Sequence, residues 1–234
     1  MRVEKDRIIE LRQYTLRGGR RDTLIDLFEA QFIESQNAEG AHVIGTFRDL
    51  DDPDRFVWLR GFPDMAVRRA ALERFYGGPV WQAHRDAANA TMIDSDNVLM
   101  LRPMQPDDGF DRLARGEPGL LGARIHALGD VPAEAFADWF DAAVRPMLAW
   151  LGATEIVTLA TETAPNDFPR LPIRPERVFA WFARWSDAEA EQAFAAAFAS
   201  ESGWRDGVPE ALLPALVAKP ERLRLAPTQG SPFR

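Results

Sequence analysis

From Ile8 to Leu16 the chain alternates, with Ile9, Leu11 and Gln13 on one side and Glu10, Arg12 and Tyr14 on the other. That is the two-residue period of a strand, here with one polar face. Behind a Gly18-Gly19 turn, Leu24, Leu27, Phe28 and Phe32 recur at helical spacing among charged residues, predicting an amphipathic helix that ends before Gly40. Val43 to Phe47 reads as a second strand, Asp51-Asp52-Pro53-Asp54 as a hairpin loop, and Phe56 to Phe62 as a third strand. Asp64 can accept from the free amides of the next helix, which Gly77-Gly78-Pro79 stops. Trp81 to Asn89 predicts a further helical piece, and Val98 to Leu101, closed by Pro103, a fourth strand.

The pattern then repeats. Phe56-Val57-Trp58-Leu59-Arg60-Gly61-Phe62-Pro63-Asp64 returns 123 positions later as Phe179-Ala180-Trp181-Phe182-Ala183-Arg184-Trp185-Ser186-Asp187. Arg12 and Arg124, Phe28 and Phe140, and Ile44 and Ile156 pair at an offset of 112. The difference, 123 minus 112, is an insertion of 11 residues, placed in the loop 161–176 that holds Pro165, Pro169, Pro172 and Pro175. Loops accept such length changes more readily than cores do, and the prolines stiffen this one into an excursion fit to cap one end of the fold or make contacts. In the second copy Leu121 to Leu128 opens the first strand, Pro132 precedes the helix, and Pro146 should kink it near Arg145. Ser186 and Glu189 are spaced as a capping box, Trp204 answers Trp81, and Arg222 to Leu225 makes the last strand. The implied domains are 1–105, a linker at 106–118, a second unit at 119–227 and a loose tail at 228–234.

A strand-helix-strand-strand-helix-strand unit makes a ferredoxin-like, four-stranded antiparallel sheet with helices on one face. The other face would carry Tyr14, Trp58 and Arg60 in one copy and Trp181 in the other, too much apolar area to leave in water. The expected fold is therefore α+β, two tandem ferredoxin-like units packed face to face in a pseudo-dimeric α/β barrel.

Composition narrows the partners. At 234 residues, 46% hydrophobic and 27% charged, the chain can bury a sizeable core. A net charge of −8 and a pI near 5.0 argue against nucleic acid. The absence of cysteine excludes disulfides, thiolate metal sites and a Cys nucleophile. With no apolar leader and no run near the length of a membrane span, a cytoplasmic protein is the expectation.

Ile9-Glu10-Leu11-Arg12-Gln13-Tyr14-Thr15-Leu16, Gly18-Gly19, Leu59-Arg60-Gly61-Phe62-Pro63-Asp64 and Trp81-Gln82-Ala83 resemble the NIPSNAP family in its usual order and spacing. The resemblance covers residues 8 to 103; residues 120 to 226 resemble the family through the first copy, with Gly122 and His126 replacing Glu10 and Tyr14 and Arg124 keeping the place of Arg12. It implies a dimeric α/β-barrel fold more than an activity, since the family has no generally agreed reaction. Related barrels include cofactor-independent monooxygenases, haem-degrading enzymes and small-molecule isomerases.

Glu10, Arg12 and Tyr14 share a strand face that would line the barrel interior, where they could orient a small anionic or carbonyl-bearing ligand with Arg12 as a fork-shaped donor. The blander reading is a buried pair knitting the sheets together. His84, three residues after Trp81, offers a general base or a single axial haem ligand, against a helix-end residue bonded to backbone; Tyr14 is the other catalytic candidate. His42, His84 and His126 lack metal-ligand spacing, so no metal site is expected. Trp58, Phe62, Trp81, Trp181, Trp185 and Trp204 could wall a pocket, although rings at strand spacing more often form core. The acidic run at 51–54 lacks the glycine and distal glutamate of a calcium loop, and no phosphate-binding glycine pattern occurs.

The reading is a barrel that binds a small organic ligand through Glu10, Arg12, Tyr14, Trp58, Arg60, Trp81, Arg124 and His126, with no cofactor, haem being the alternative. It extends to a cofactor-independent monooxygenase-like or isomerase-like enzyme that could associate as a homo-oligomer; the competing reading is a non-catalytic interaction module. Because Gly122 removes the second carboxylate, the site is expected in the first copy, with the second serving as a wall or lending Arg124.

Overall fold

The computed structural model describes residues 6–105, 110, 113, 118–200 and 208–233. Trp204 and most of the linker at 106–118 lie outside these. The chain divides into two compact units, the first comprising 1–102, 162–174 and 226–233 and the second 103–161 and 175–225.

In the first unit β1 (Ile8–Leu16) pairs antiparallel with both β3 (Arg55–Phe62) and β4 (Met92–Pro103), and β2 (His42–Asp49) pairs with β3. The sheet order is therefore β4-β1-β3-β2. Its helices are α1 (Arg21–Gln31), α2 (Ile33–Ala38), α3 (Met65–Gly77) and α4 (Pro79–Asn89). Asp64 caps α3 as expected, accepting from the Val67 amide at 2.8 Å. Phe28 of α1, Phe32 between α1 and α2, and Phe75 of α3 pack with Tyr14, Phe56 and Trp58 from the strands. The register places Glu10 opposite Arg60 on one face and Leu11 opposite Leu59 on the other, and all four are buried.

The second unit repeats this order. Strand β5 (Leu120–Ala127) pairs antiparallel with β7 (Val178–Trp185) and β8 (Glu221–Pro227), and β7 pairs with β6 (Thr154–Thr161). Helix α5 (Ala133–Trp139) runs into a π-helical turn (Phe140–Val144) before α6 (Arg145–Trp150). The wide turn is the break anticipated at Pro146: the proline cannot donate within a helix, so it falls in the first turn of a new one. Helix α7 (Ala188–Ser200) follows β7, and α8 (Leu213–Val217) precedes β8.

Two expectations change, and the contacts expected of the insertion fall on the first unit. The N-terminal cap of α7 is Asp187, which accepts from the Ala190 amide at 2.8 Å, while the Ser186 hydroxyl bonds Asp187 instead of a backbone amide. This repeats the Asp64 cap of the first copy. Residues 228–233 are not loose: Thr228 and Ser231 bond Thr46, and Phe233 packs edge-on against Phe47 at 5.2 Å. A Cβ on Gly45 would lie 2.8 Å from Phe233, so the glycine makes room for the docked tail. The insertion also packs with the first unit, although it interrupts the second copy. Its Glu162 and Arg174 amides bond the Met100 and Val98 carbonyls, and Phe168 stacks on Tyr76 at 5.9 Å.

Candidate functional site

The charged residues of β1 converge as expected, but on the helix-covered face of their sheet. Glu10 accepts from Arg12 at 2.9 Å, from Arg60 at 2.8 Å and from Arg68 of α3 at 2.7 Å. Arg60 also bonds Gln36 of α2, and Arg68 reaches Asp167 of the insertion at 2.6 Å. Strand alternation puts Glu10, Arg12 and Tyr14 on one face but cannot say which face the helices cover. The arginines therefore contact helix residues, and the expectation that they line a barrel interior is corrected.

Burial would raise the Glu10 carboxyl, but Arg60, Arg12 and Arg68 outweigh it and hold the group well below the ordinary carboxylate range. Burial pushes the Tyr14 phenol up, and its oxygen receives a bond from Arg12 Nε at 3.1 Å. Tyr14 thus stands as a neutral hydroxyl. Beside it, Trp58, Phe28, Phe32, Tyr76 and Trp81 leave a cavity of about 30 Å³, room for about one water molecule. His84 sits half-buried on α4, its ring 6.4 Å from Phe32, and lines neither this cavity nor the one described next. His42 is exposed and pairs with Asp6.

The same place in the second unit is open. There a cavity of about 410 Å³ lies between β5, β7 and β8 and the helices, within the size range of small-molecule sites. Its lining answers the first unit's position by position: His126 for Tyr14, Phe136 for Leu24, Phe140 for Phe28, Trp181 for Trp58 and Phe198 for Phe75. At three positions of this lining the second unit has the smaller residue: Val144 stands for Phe32, Ala195 for Leu72 and Ala199 for Tyr76. The expectation that the first copy keeps the site is therefore turned round as far as space is concerned.

Nor is Arg124 left without a carboxylate. Glu191, 123 positions after Arg68, supplies one from the first turn of α7 and accepts from Arg124 at 3.0 Å, from Arg224 at 3.0 Å and from Arg222. The negative group has moved from strand to helix and the arginines to β5 and β8. Gly122 permits this, because a Cβ there would fall 2.6 Å from Trp185 Nε1 and 3.5 Å from Glu191 Cγ. Burial would raise the Glu191 carboxyl, yet its bonds from Arg222 and Arg124 leave it lowered. Arg124 also lies over the Trp181 ring, 5.6 Å from its centre. Burial, with Arg124 beside it, lowers His126 to about 4, so its ring is neutral at physiological pH. Sequence reasoning missed Gln36, Arg68, Asp167, Glu191, Arg222 and Arg224. The exchange of Arg68 for Glu191 against that of Glu10 for Gly122 was the available signal.

A family model described as NIPSNAP matches residues 9–106. The first unit is a NIPSNAP domain. Its buried arginine cluster and β1 motif are thus set in that family's fold, while the second-unit cavity lies outside the matched residues. Over the whole chain the fold is that of three solved structures. A presumptive monooxygenase from Lactobacillus acidophilus NCFM has a TM-score of 0.55 at 14% identity, over 97% of this chain and 98% of that one. One from Fusobacterium nucleatum subsp. nucleatum ATCC 25586 has a TM-score of 0.57 at 8% identity, over 96% and 94%. An anthrone oxidase-like protein has a TM-score of 0.57 at 12% identity, over 97% and 93%. No curated protein matches the chain. Among the described residues no helix is long and apolar enough to cross a membrane, and no group of three or more His, Asp or Glu residues is placed to hold a metal.

Proposed function

We propose that this protein binds a small aromatic ligand bearing a carbonyl or ionised oxygen in the second-unit cavity, one per chain, and acts on it as a cofactor-independent monooxygenase-like or isomerase-like enzyme. The observation that carries the proposal is the contrast between about 410 Å³ and about 30 Å³ at corresponding positions of the two units. Rings on several sides suit a flat apolar body, and Arg124, fixed by Glu191 and Trp181, suits an oxygen with negative charge. The whole-chain likeness to presumptive monooxygenases and an anthrone oxidase-like protein supports the same reading. On this view the units are tandem ferredoxin-like halves of a pseudo-dimeric α/β barrel in the cytoplasm. The first unit, packed tight around its arginines, serves as the structural half.

The test is to refill the cavity. Ala199→Tyr restores the first unit's residue at that position, and Val144→Phe restores another. A panel of aromatic ketones and phenols screened by thermal shift should yield ligands that stabilise the native chain by mass action. Ala199→Tyr should abolish that stabilisation while Glu10→Gln, in the packed unit, leaves ligand affinity unchanged. Retention of every ligand by the Ala199→Tyr, Val144→Phe double variant would refute the assignment.

A further inference from the structure

One lining group of the second-unit cavity is left without an internal role. His126 projects from β5 into it, with its ring against Phe136 at 5.4 Å. Its Nδ1 is closed off from solvent and has no hydrogen-bond partner among the described residues, so a ligand in the cavity meets the rest of the ring, which is partly exposed. The corresponding Tyr14 has its oxygen bound by Arg12. The histidine is thus a departure from the copy's own pattern, at the copy's own cavity.

Among the described residues, the charged groups lining the cavity with His126 are Arg124 and Arg222 from the strands and Lys219 from the segment between α8 and β8, and all three are cationic. None would stabilise an imidazolium, and each favours a neutral imidazole, the proton-accepting form. The same cations favour negative charge on anything bound beside them. Arg124 lies two residues from His126 on the same strand face, held in place by Glu191.

We infer that His126 is the general base of this cavity, taking through Nε2, the ring nitrogen that is not closed off, a proton from an acidic C–H conjugated to a ligand carbonyl while Arg124 holds the oxygen that becomes anionic. This rests on the ligand reading above. In the step the C–H bond breaks, an N–H bond forms on His126, and the electron pair moves through the ligand onto the carbonyl oxygen. The proton returns to the same carbon, giving exchange with solvent, or to another, giving an isomer. No oxidant or reductant is consumed. A positioned base is worth about 10²- to 10⁴-fold in rate.

Anthrone is a suitable probe: three fused rings, with a methylene acidified by a carbonyl across the central ring. Its methylene exchange in D2O is followed by proton NMR with the full chain, and its affinity is measured on the same samples by calorimetry. The native protein should accelerate exchange at least about 100-fold over buffer. His126→Gln should bind anthrone with Kd within about threefold of native and lose the acceleration, and His126→Tyr, the residue of the first copy, should behave alike. Binding retained with exchange still accelerated in a folded variant of either kind would overturn the assignment of the base while leaving the ligand site standing. Anthrone that binds but exchanges no faster than in buffer would also overturn it. Failure of native protein to bind anthrone would overturn the aromatic-carbonyl reading and this inference together.

Discussion

Glu10→Gln probes how the first unit tolerates three buried arginines. The carboxylate is fully buried and receives Arg12, Arg60 and Arg68 at 2.7–2.9 Å. Glutamine keeps its volume, but it removes the shared charge and turns an NH2 group toward guanidinium donors. Asp167 then remains against Arg68. Taking one partner from a buried ion pair costs about 3 to 5 kcal/mol, and because three cations lose the same partner, the upper end is expected. Each kcal/mol moves the midpoint by about 4 to 8 °C in a domain of modest size, so the first unit should melt on the order of 20 °C lower. Urea unfolding read by tryptophan fluorescence suits the measurement, since Arg12 and Arg60 lie 5.4 Å and 5.1 Å from Trp58. Adding Arg68→Gln relieves one unmatched cation, so the double variant should be more stable than additivity allows. The pH dependence has a definite sign. Glu10's folded value lies below its unfolded one near 4.5, so its contribution is present above about pH 4.5 and is lost as the pH falls below it. The gap between native and variant should therefore narrow on acidification. A loss under about 1 kcal/mol, or strictly additive single variants, would refute this account of the cluster.

Other outcomes follow from the same structure. His126, at about 4 in the fold and 6.5 unfolded, takes up its proton first in the unfolded chain. Stability should fall by about 3 kcal/mol between pH 6.5 and 4, and His126→Phe should flatten that slope in a pH series of denaturant melts. Asp187→Ala should lower stability in the same assay and Ser186→Ala should lower it less, because Asp187 is the cap. Deleting Asn166 to Ile173 removes Asp167 from Arg68 and Phe168 from Tyr76; hydrogen exchange should show weakened protection in α3 rather than in α7.

Much of this fold can be read from short-range order. The alternation at Ile8–Leu16, the Asp64 cap and the Pro146 break depend on neighbours a few residues apart, and all appear where expected. The polar cluster was half legible: Glu10 and Arg12 adjoin on one strand, but Arg68 and Asp167 come from elements whose approach no local pattern records. The larger miss concerned loss and relocation. Gly122 looks like a deleted carboxylate until Glu191 is seen to occupy the corresponding place from a helix. The cavity was hidden for a similar reason, since Val144, Ala195 and Ala199 are unremarkable helix residues unless set beside Phe32, Leu72 and Tyr76.

The docking of residues 226–233 and 162–174 onto the first unit bears on the order in which the chain can be made. During synthesis β1 to β4 leave the ribosome first, but the pieces that seal Arg68 and cover Thr46 are translated later, the last of them only after the whole second unit. N-terminal domains commonly fold while the rest is still being synthesised. Here the N-terminal unit carries a half-covered cluster of arginines until residues 162–174 have emerged, and an uncovered Thr46 until the last residues follow. The repeat, which looks like two copies end to end, is thus interleaved along the chain, the first unit being completed by segments made within and after the second.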